Sequence, residues 1–362
     1  MSENLEAINN ARYLGMKFYQ EGMEQLENVA YDETMYKTAQ LVGMIGGFAV
    51  LAAGVPGGVK SQVALNSYRL IKGVSSEDVA FIPSSMTMTE DSMVGGRLES
   101  HKMIVHTHPD KTKEEIEESS QVNIEGLIQP DTKVIVLDEV SRMNPYALNS
   151  LLRVLNERQI SSSAGQHNMD KLIYAVSTLN PSESRESTLP LSYALVSRHP
   201  LGVVVGKDIS ESNQTRLFNQ QTPDPNKIDE VISIENLQLL HNAIPSVAVN
   251  EETARQSVKW LNSAQSELNK IMPNARENSR FITHAGSVAR IMALFRGDHT
   301  VDLKRDVEMA VRFYLGSRVG GLWRDINSAP ELIAAITDAT NPTLGSEKQK
   351  AAKDRIEQLA HA

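Results

Sequence analysis

The chain has 362 residues, a formal net charge of −9 and 22% charged residues, a globular composition long enough for two domains. Lys and Arg are scattered, so the sequence lacks the basic footprint that nucleic acid or an anionic membrane would require. It contains no cysteine, which excludes disulfides, thiolate zinc sites and cysteine nucleophiles.

The first residues, MSENLEAINNARYLG, show neither a basic start nor the apolar core of a signal peptide, so a cytoplasmic protein is expected. Helical periodicity from Asn4 leads into MIGGFAVLAAGV, Met44 to Val55, which is too short to span a bilayer and reads as a buried strand. GVPGGVKS follows. It approaches the phosphate-binding pattern GxxxxGK[ST], with Val59 where the last glycine belongs. In such a loop, backbone N–H groups cradle phosphates, a lysine (Lys60) reaches the β and γ oxygens, and a hydroxyl (Ser61) binds Mg²⁺. A glycine-rich turn is the alternative. SQVALNSYRLIK, Ser61 to Lys72, has helix-forming character, giving the order strand, loop, helix.

KVIVLDEV, Lys133 to Val140, is a second buried strand, and it ends in an acid pair. Asp138 is suited to hold Mg²⁺ through its water shell and Glu139 to polarise an attacking water, although such a pair could instead cap a helix. KLIYAVSTLNP, Lys171 to Pro181, should lie between the first two strands and point Thr178 or Asn180 at the γ-phosphate or the water. LGVVVG, Leu201 to Gly206, is a further strand. Strands alternating with helices predict an α/β fold with a parallel central sheet and functional residues at the strand ends.

The polar, proline-rich QTPDPNK reads as a linker. IENLQLLHNAI, EETARQSVKWLNSAQSELNKI, RFITHAGSVARIMALFRG and LKRDVEMAVRFYLGSRVGGL are helical, and the C-terminal SEKQKAAKDRIEQLAHA is a charged helix. The expected organisation is a nucleotide-binding domain over 1–222, a small all-α lid over 228–326 and a tail over 327–362.

GVPGGVKS, FIPSSMTMTEDSMVGG, IEGLIQPDTKVIVLDEVSRMNPYALNSLLRVLNERQI, VSTLNP, LPLSYALVSRH and NSRFITHAGSVARIMALFRG together resemble the MoxR branch of the AAA+ ATPases, over roughly residues 25 to 320. The resemblance implies a P-loop domain followed by a lid, assembled into a hexameric ring that hydrolyses Mg·ATP between subunits. Gly54, Pro56, Gly57, Gly58, Val59, Lys60, Ser61 and Gln62 would then form the nucleotide-binding stretch. Ser61 and Asp138 would serve Mg²⁺, and Glu139 and Asn180 the attacking water. Arg198 takes the place of the arginine finger that reaches a neighbour's γ-phosphate, and Arg280 that of a lid arginine contacting nucleotide in its own subunit. Arg185 is either a second trans cation or a solvated loop residue.

FIPSSMTMTEDSMVGG is similar to a family insert, in which Met86, Met88 and Met93 serve either a partner or the core. His106 and His108 alternate on one face of a strand, with His101 nearby, but no third metal ligand is apparent and the acids that follow read as a solvated helix. The family's work, remodelling or activating a client protein, often one with a von Willebrand factor A domain, is implied by the resemblance alone. Two departures stand out: Val59, strained if its φ must be positive, and Ser197-Arg198-His199 where the family commonly has Asp-Arg-Phe. Val59 motivates an alternative, a nucleotide-binding structural or regulatory subunit that hydrolyses poorly. A nucleic-acid motor of related fold is disfavoured by the acidic balance.

Overall fold

The computed structural model describes residues 2–29, 33–55, 59–107, 113–163, 165–181, 191–206, 214–215, 219, 224–273, 280–323 and 325–361. Two helices come first, α1 (Ser2–Leu26) and α2 (Thr34–Gly46). Gly47 ends α2 in the left-handed conformation at φ 65, donating its N–H to Gly43 O, which turns the chain directly into β1 (Ala49–Gly54). The apolar run from Met44 is therefore divided: its first three residues finish a helix, and only the part after Gly47 and Phe48 is strand. Every residue of β1 is buried, the pattern of a parallel strand covered on both faces.

The chain continues through α3 (Lys60–Asn66), β2 (Ile71–Lys72), β3 (Val79–Pro83), α4 (Glu90–Val94) and a hairpin of β4 (Gly96–Thr107) and β5 (Lys113–Ile124). Then come β6 (Val134–Asp138), α5 (Pro145–Glu157), a small hairpin of β7 (Gln159–Ser162) and β8 (Gly165–Asn168), β9 (Tyr174–Leu179), α6 (Tyr193–Val196) and β10 (Leu201–Val205). The central sheet has five strands in the order β10-β1-β9-β6-β3, all parallel. β9 lies between β1 and β6, as its strand-end chemistry requires. Because the strands are parallel, Gly54, Asp138 and Leu179 end together at one edge.

Two local expectations are corrected. FIP, grouped with an insert, belongs to the edge strand β3, paired so that Pro83 lies beside Asp138. The acidic stretch after His108 is strand β5, not helix. Its Glu and Lys favour helix locally, but pairing along the whole of β4 overrides that preference.

After β11 (Ile232–Ser233), which pairs with β2, the chain is helical: α7 (Ile234–Ala243), α8 (Glu251–Ile271), α9 (Arg280–Phe295), α10 (Glu308–Leu322), α11 (Ala329–Thr340) and α12 (Ser346–His361). These helices share one core with the sheet. A buried cluster runs from Ala11 and Phe18 through Leu51, Val176 and Val203 to Phe313, Leu332 and Ile356. α10 lies directly on β10 and β1, and a Cβ on Gly202 would strike the backbone of Ser317 while one on Gly316 would strike Gly202 O. Glycine at both positions is what permits this approach. A second cluster, with Ile82, Met93, Leu137 and Leu151, fills the space beneath α4 and α5.

Candidate functional site

At the edge where β1 ends, Pro56, Gly57 and Gly58 lie outside the described residues. The chain resumes at Val59 with φ −74 and ψ 5, right-handed backbone that any L-residue adopts. The strain foreseen for a β-branched residue is therefore absent, and Val59 leans on the main core. Lys60 opens α3 and is buried. Its ammonium folds back over the end of β1, donating to Val55 O at 2.7 Å and Gly54 O at 3.2 Å. From α2, the buried Tyr36 hydroxyl donates to Lys60 O at 2.9 Å and fixes the first turn of α3. Gln62, one turn face away, is exposed.

Asp138 joins three elements. Its Oδ1 accepts from Ser61 Oγ and from Thr178 Oγ1, each at 2.6 Å. Thr178 in turn accepts the Glu139 N–H at 2.9 Å, so β9 holds both members of the acid pair. Glu139 leaves the strand at φ 54, a left-handed conformation that L-residues rarely take and that is costly outside functional sites. Its Oε1 accepts from Asn180 Nδ2 and its Oε2 from Arg142 Nε, both at 2.6 Å. The amide of Asn180 is oriented by this bond, since turning it over would set two oxygens against each other. Asn180 Oδ1 is then buried with no donor among the described residues.

Ser61, Asp138, Glu139, Thr178 and Asn180 thus form one hydrogen-bonded chain, with Lys60 beside it. Sequence reasoning left Thr178 as an alternative to Asn180, and both are engaged. It missed Arg142, whose only sequence signal is its spacing of three residues after Glu139, and Tyr36, for which there is no local signal.

Two expected residues stand apart. Arg198 follows α6 and bonds within its own turn, Nη1 to Ala194 O at 2.9 Å, while its Nε is buried with no acceptor among the described residues. Next to it, His199 is fully buried. Its Nδ1–H donates to Leu195 O, leaving Nε2 to accept from Ser177 Oγ at 2.7 Å, and burial lowers its pKa to about 4. Arg280 is not brought to the site at all. It bonds to Asn156 in the last turn of α5, next to Arg158, which caps carbonyls at the beginnings of β1 and β9. That is the opposite edge of the sheet.

Met93 is core, Met88 is half-buried against it, and Met86 is 52% exposed, so the three methionines do not act alike. Arg185 and His108 lie outside the described residues, and His101 and His106 are placed only by backbone, on β4. Among the described residues no group of three or more His, Asp and Glu side chains is arranged to hold a metal ion. No described helix is long and apolar enough to cross a membrane.

A profile of the AAA domain, dynein-related subfamily, matches residues 49–199, the segment that runs from the start of β1 to His199. The chain is similar in structure to a candidate ATPase of Cytophaga hutchinsonii, with a TM-score of 0.66, 17% sequence identity, and coverage of 92% of this chain and 96% of that one. No curated protein matches in sequence. Residues 49–199 are an AAA domain, and the chain has the α/β AAA+ fold with a helical region after the sheet.

Proposed function

We propose that this protein is a MoxR-type AAA+ ATPase that transfers the γ-phosphoryl group of ATP to water. The observation that carries the reading is the chain of side chains at the strand ends, in which Ser61 and Asp138 share one point and Asn180 orients Glu139 beside it. Lys60, held over the end of β1, is the cation for the β and γ oxygens, with Gly54, Pro56, Gly57, Gly58, Val59 and Gln62 as the rest of the nucleotide-binding stretch. A hydroxyl and a carboxylate oxygen at one point suit Mg²⁺, a hard cation that takes oxygen ligands and keeps several waters. Ser61 would hold it directly and Asp138 through water, and when bound it offsets charge on the phosphates.

Glu139 accepts a proton from the attacking water, and Asn180 keeps the carboxylate in place. The buried Asn180 Oδ1, which has no donor among the described residues, offers that water an acceptor. Arg198, whose Nε has no acceptor among the described residues, suits a finger completed by a neighbouring copy in a ring, taken as a hexamer. The energy is used to remodel or activate a client protein, such as one with a von Willebrand factor A domain, in the cytoplasm. The 1–222, 228–326 and 327–362 divisions serve as nucleotide-binding, lid and tail segments.

Steady-state phosphate release tests this. Glu139→Gln should lower kcat by about 100-fold or more while nucleotide still binds. Arg198→Ala should abolish turnover with nucleotide affinity largely kept. Equal loss of affinity and turnover in Arg198→Ala would count against a trans finger, and full turnover in Glu139→Gln would remove Glu139 from the mechanism.

A further inference from the structure

The edge of the sheet opposite Lys60 and Asp138 holds a cavity that phosphoryl transfer does not use. It measures about 480 Å³ and lies where β1, β6 and β9 begin. A volume of that order suits one small molecule. Much of the lining is apolar: Met44 and Ile45 finish α2, Leu172 and Ile173 lead into β9, and Ile234 and Leu237 belong to α7.

The cationic part is built around Arg158. This residue ends α5 at φ 50, a left-handed conformation that favours glycine, so the position is held by arginine for its side chain. The guanidinium spans the sheet edge, donating from Nη1 to Leu172 O at 2.6 Å and from Nη2 to Gly47 O at 3.2 Å and Ile173 O at 3.4 Å. All three acceptors are neutral. Burial lowers the pKa of Arg158, and among the described residues no carboxylate is placed to oppose the shift. Lys133 and Lys171 line the same cavity but are already matched, to Asp78 at 3.0 Å and to Asp131 at 2.8 Å. The one acid in the lining, Asp170, is exposed. The uncompensated charge of the cavity is therefore that of Arg158, set beside apolar walls.

We propose that this cavity binds a small organic monoanion, a carboxylate on an apolar body, with the carboxylate on Arg158 and the body against Ile173 and Leu237. Both halves of the ligand have a counterpart. A guanidinium takes a carboxylate through charge-assisted hydrogen bonds, and the apolar walls favour a hydrocarbon that leaves water. A bare inorganic anion would meet only the first of these. The site stands apart from the nucleotide reading and does not depend on it.

Displacement titration on the full chain tests the site. Anilinonaphthalene sulfonate, itself an apolar anion, serves as the fluorescent reporter, and phenylbutyrate is compared with its neutral amide as competitor. The reporter should bind once per chain, and the carboxylate should displace it about tenfold better than the amide. Gln238→Trp, at an exposed position of the lining on α7, should crowd the cavity and weaken phenylbutyrate about tenfold with the unfolding midpoint unchanged. Arg158→Gln should erase the preference for carboxylate over amide; if loss of its bonds to the three carbonyls unfolds the chain, Gln238→Trp and the amide comparison decide. Absence of saturable reporter binding, equal displacement by amide and carboxylate, binding untouched by Gln238→Trp, or displacement by excess Mg·ATP each overturns the proposal.

Discussion

Arg280 Nη1 donates to Asn156 Oδ1 across 2.9 Å, tying the first residue of α9 to the last turn of α5. α5 begins just past the strand ends that carry Asp138 and finishes beside Arg158, which caps Gly47 O, Leu172 O and Ile173 O at the other edge. Arg280 in this arrangement is separated from Lys60 by the length of the sheet. In a single subunit, Arg280→Ala should therefore leave nucleotide affinity within about twofold, whereas Lys60→Ala should weaken it by about tenfold or more through loss of charge-assisted bonds. Titration with a fluorescent ATP analogue below the assembly concentration decides this. Comparable losses in the two variants would place Arg280 at its own subunit's nucleotide.

Val59 has no strain to relieve. With φ −74 and its side chain against the core, Val59→Gly removes packing and adds backbone freedom to the unfolded chain. The variant should lose about 1 kcal/mol of stability in urea unfolding, with turnover no higher than the parent. A gain in kcat would revive the subunit that binds nucleotide without hydrolysing it well.

Asp306 is almost wholly buried and accepts from Arg296 Nε at 2.8 Å and Nη2 at 2.6 Å, while also taking the Asp302 N–H. The hydrogen bonds that Arg296 donates to Asp306 raise the Arg296 pKa, and the pair joins the end of α9 to the turn before α10. Asp306→Ala leaves the Asp302 N–H without its acceptor and the Arg296 guanidinium with only Asp298 and Thr300 O, and should cost about 3 kcal/mol in chemical denaturation, with Asp306→Asn costing less. A loss below about 1 kcal/mol would mean that water replaces the carboxylate.

His199 makes stability pH-dependent. Burial lowers its pKa to about 4 from 6.5, so between those values the unfolded chain binds a proton that the folded chain refuses. Its contribution is fully present above about pH 6.5 and is lost progressively as pH falls towards about 4, amounting to about 3 kcal/mol. Unfolding free energies of the parent and His199→Gln, compared at neutral pH and near pH 4.5, isolate the effect from titrating carboxylates. The parent should lose more than the variant on acidification, and parallel losses would mean that His199 is not kept neutral by the fold.

The sequence by itself determined the order of the strand-end chemistry: a glycine loop with Lys60-Ser61, an acid pair at Asp138-Glu139, and a polar strand end at Thr178 and Asn180. These are contiguous residues on short buried strands, and apolar runs that stop at polar residues are a local signal. The helices from Glu251 onward were legible for the same reason, since their apolar periodicity lies within each segment. Tertiary structure alone decided which distant residues meet. β5 became a strand because β4 pairs with it, although its own charged residues favour helix. Arg280 matched a motif by sequence, yet the packing of α9 against α1, α2 and α10 set it beside Asn156, at the far edge of the sheet. Val59 read as strained because a pattern asked for glycine, and the backbone angle was settled by how the loop enters α3. Spacing along the chain names the chemistry, but the distance between elements depends on the packed core, where each position is fixed by neighbours far away in sequence.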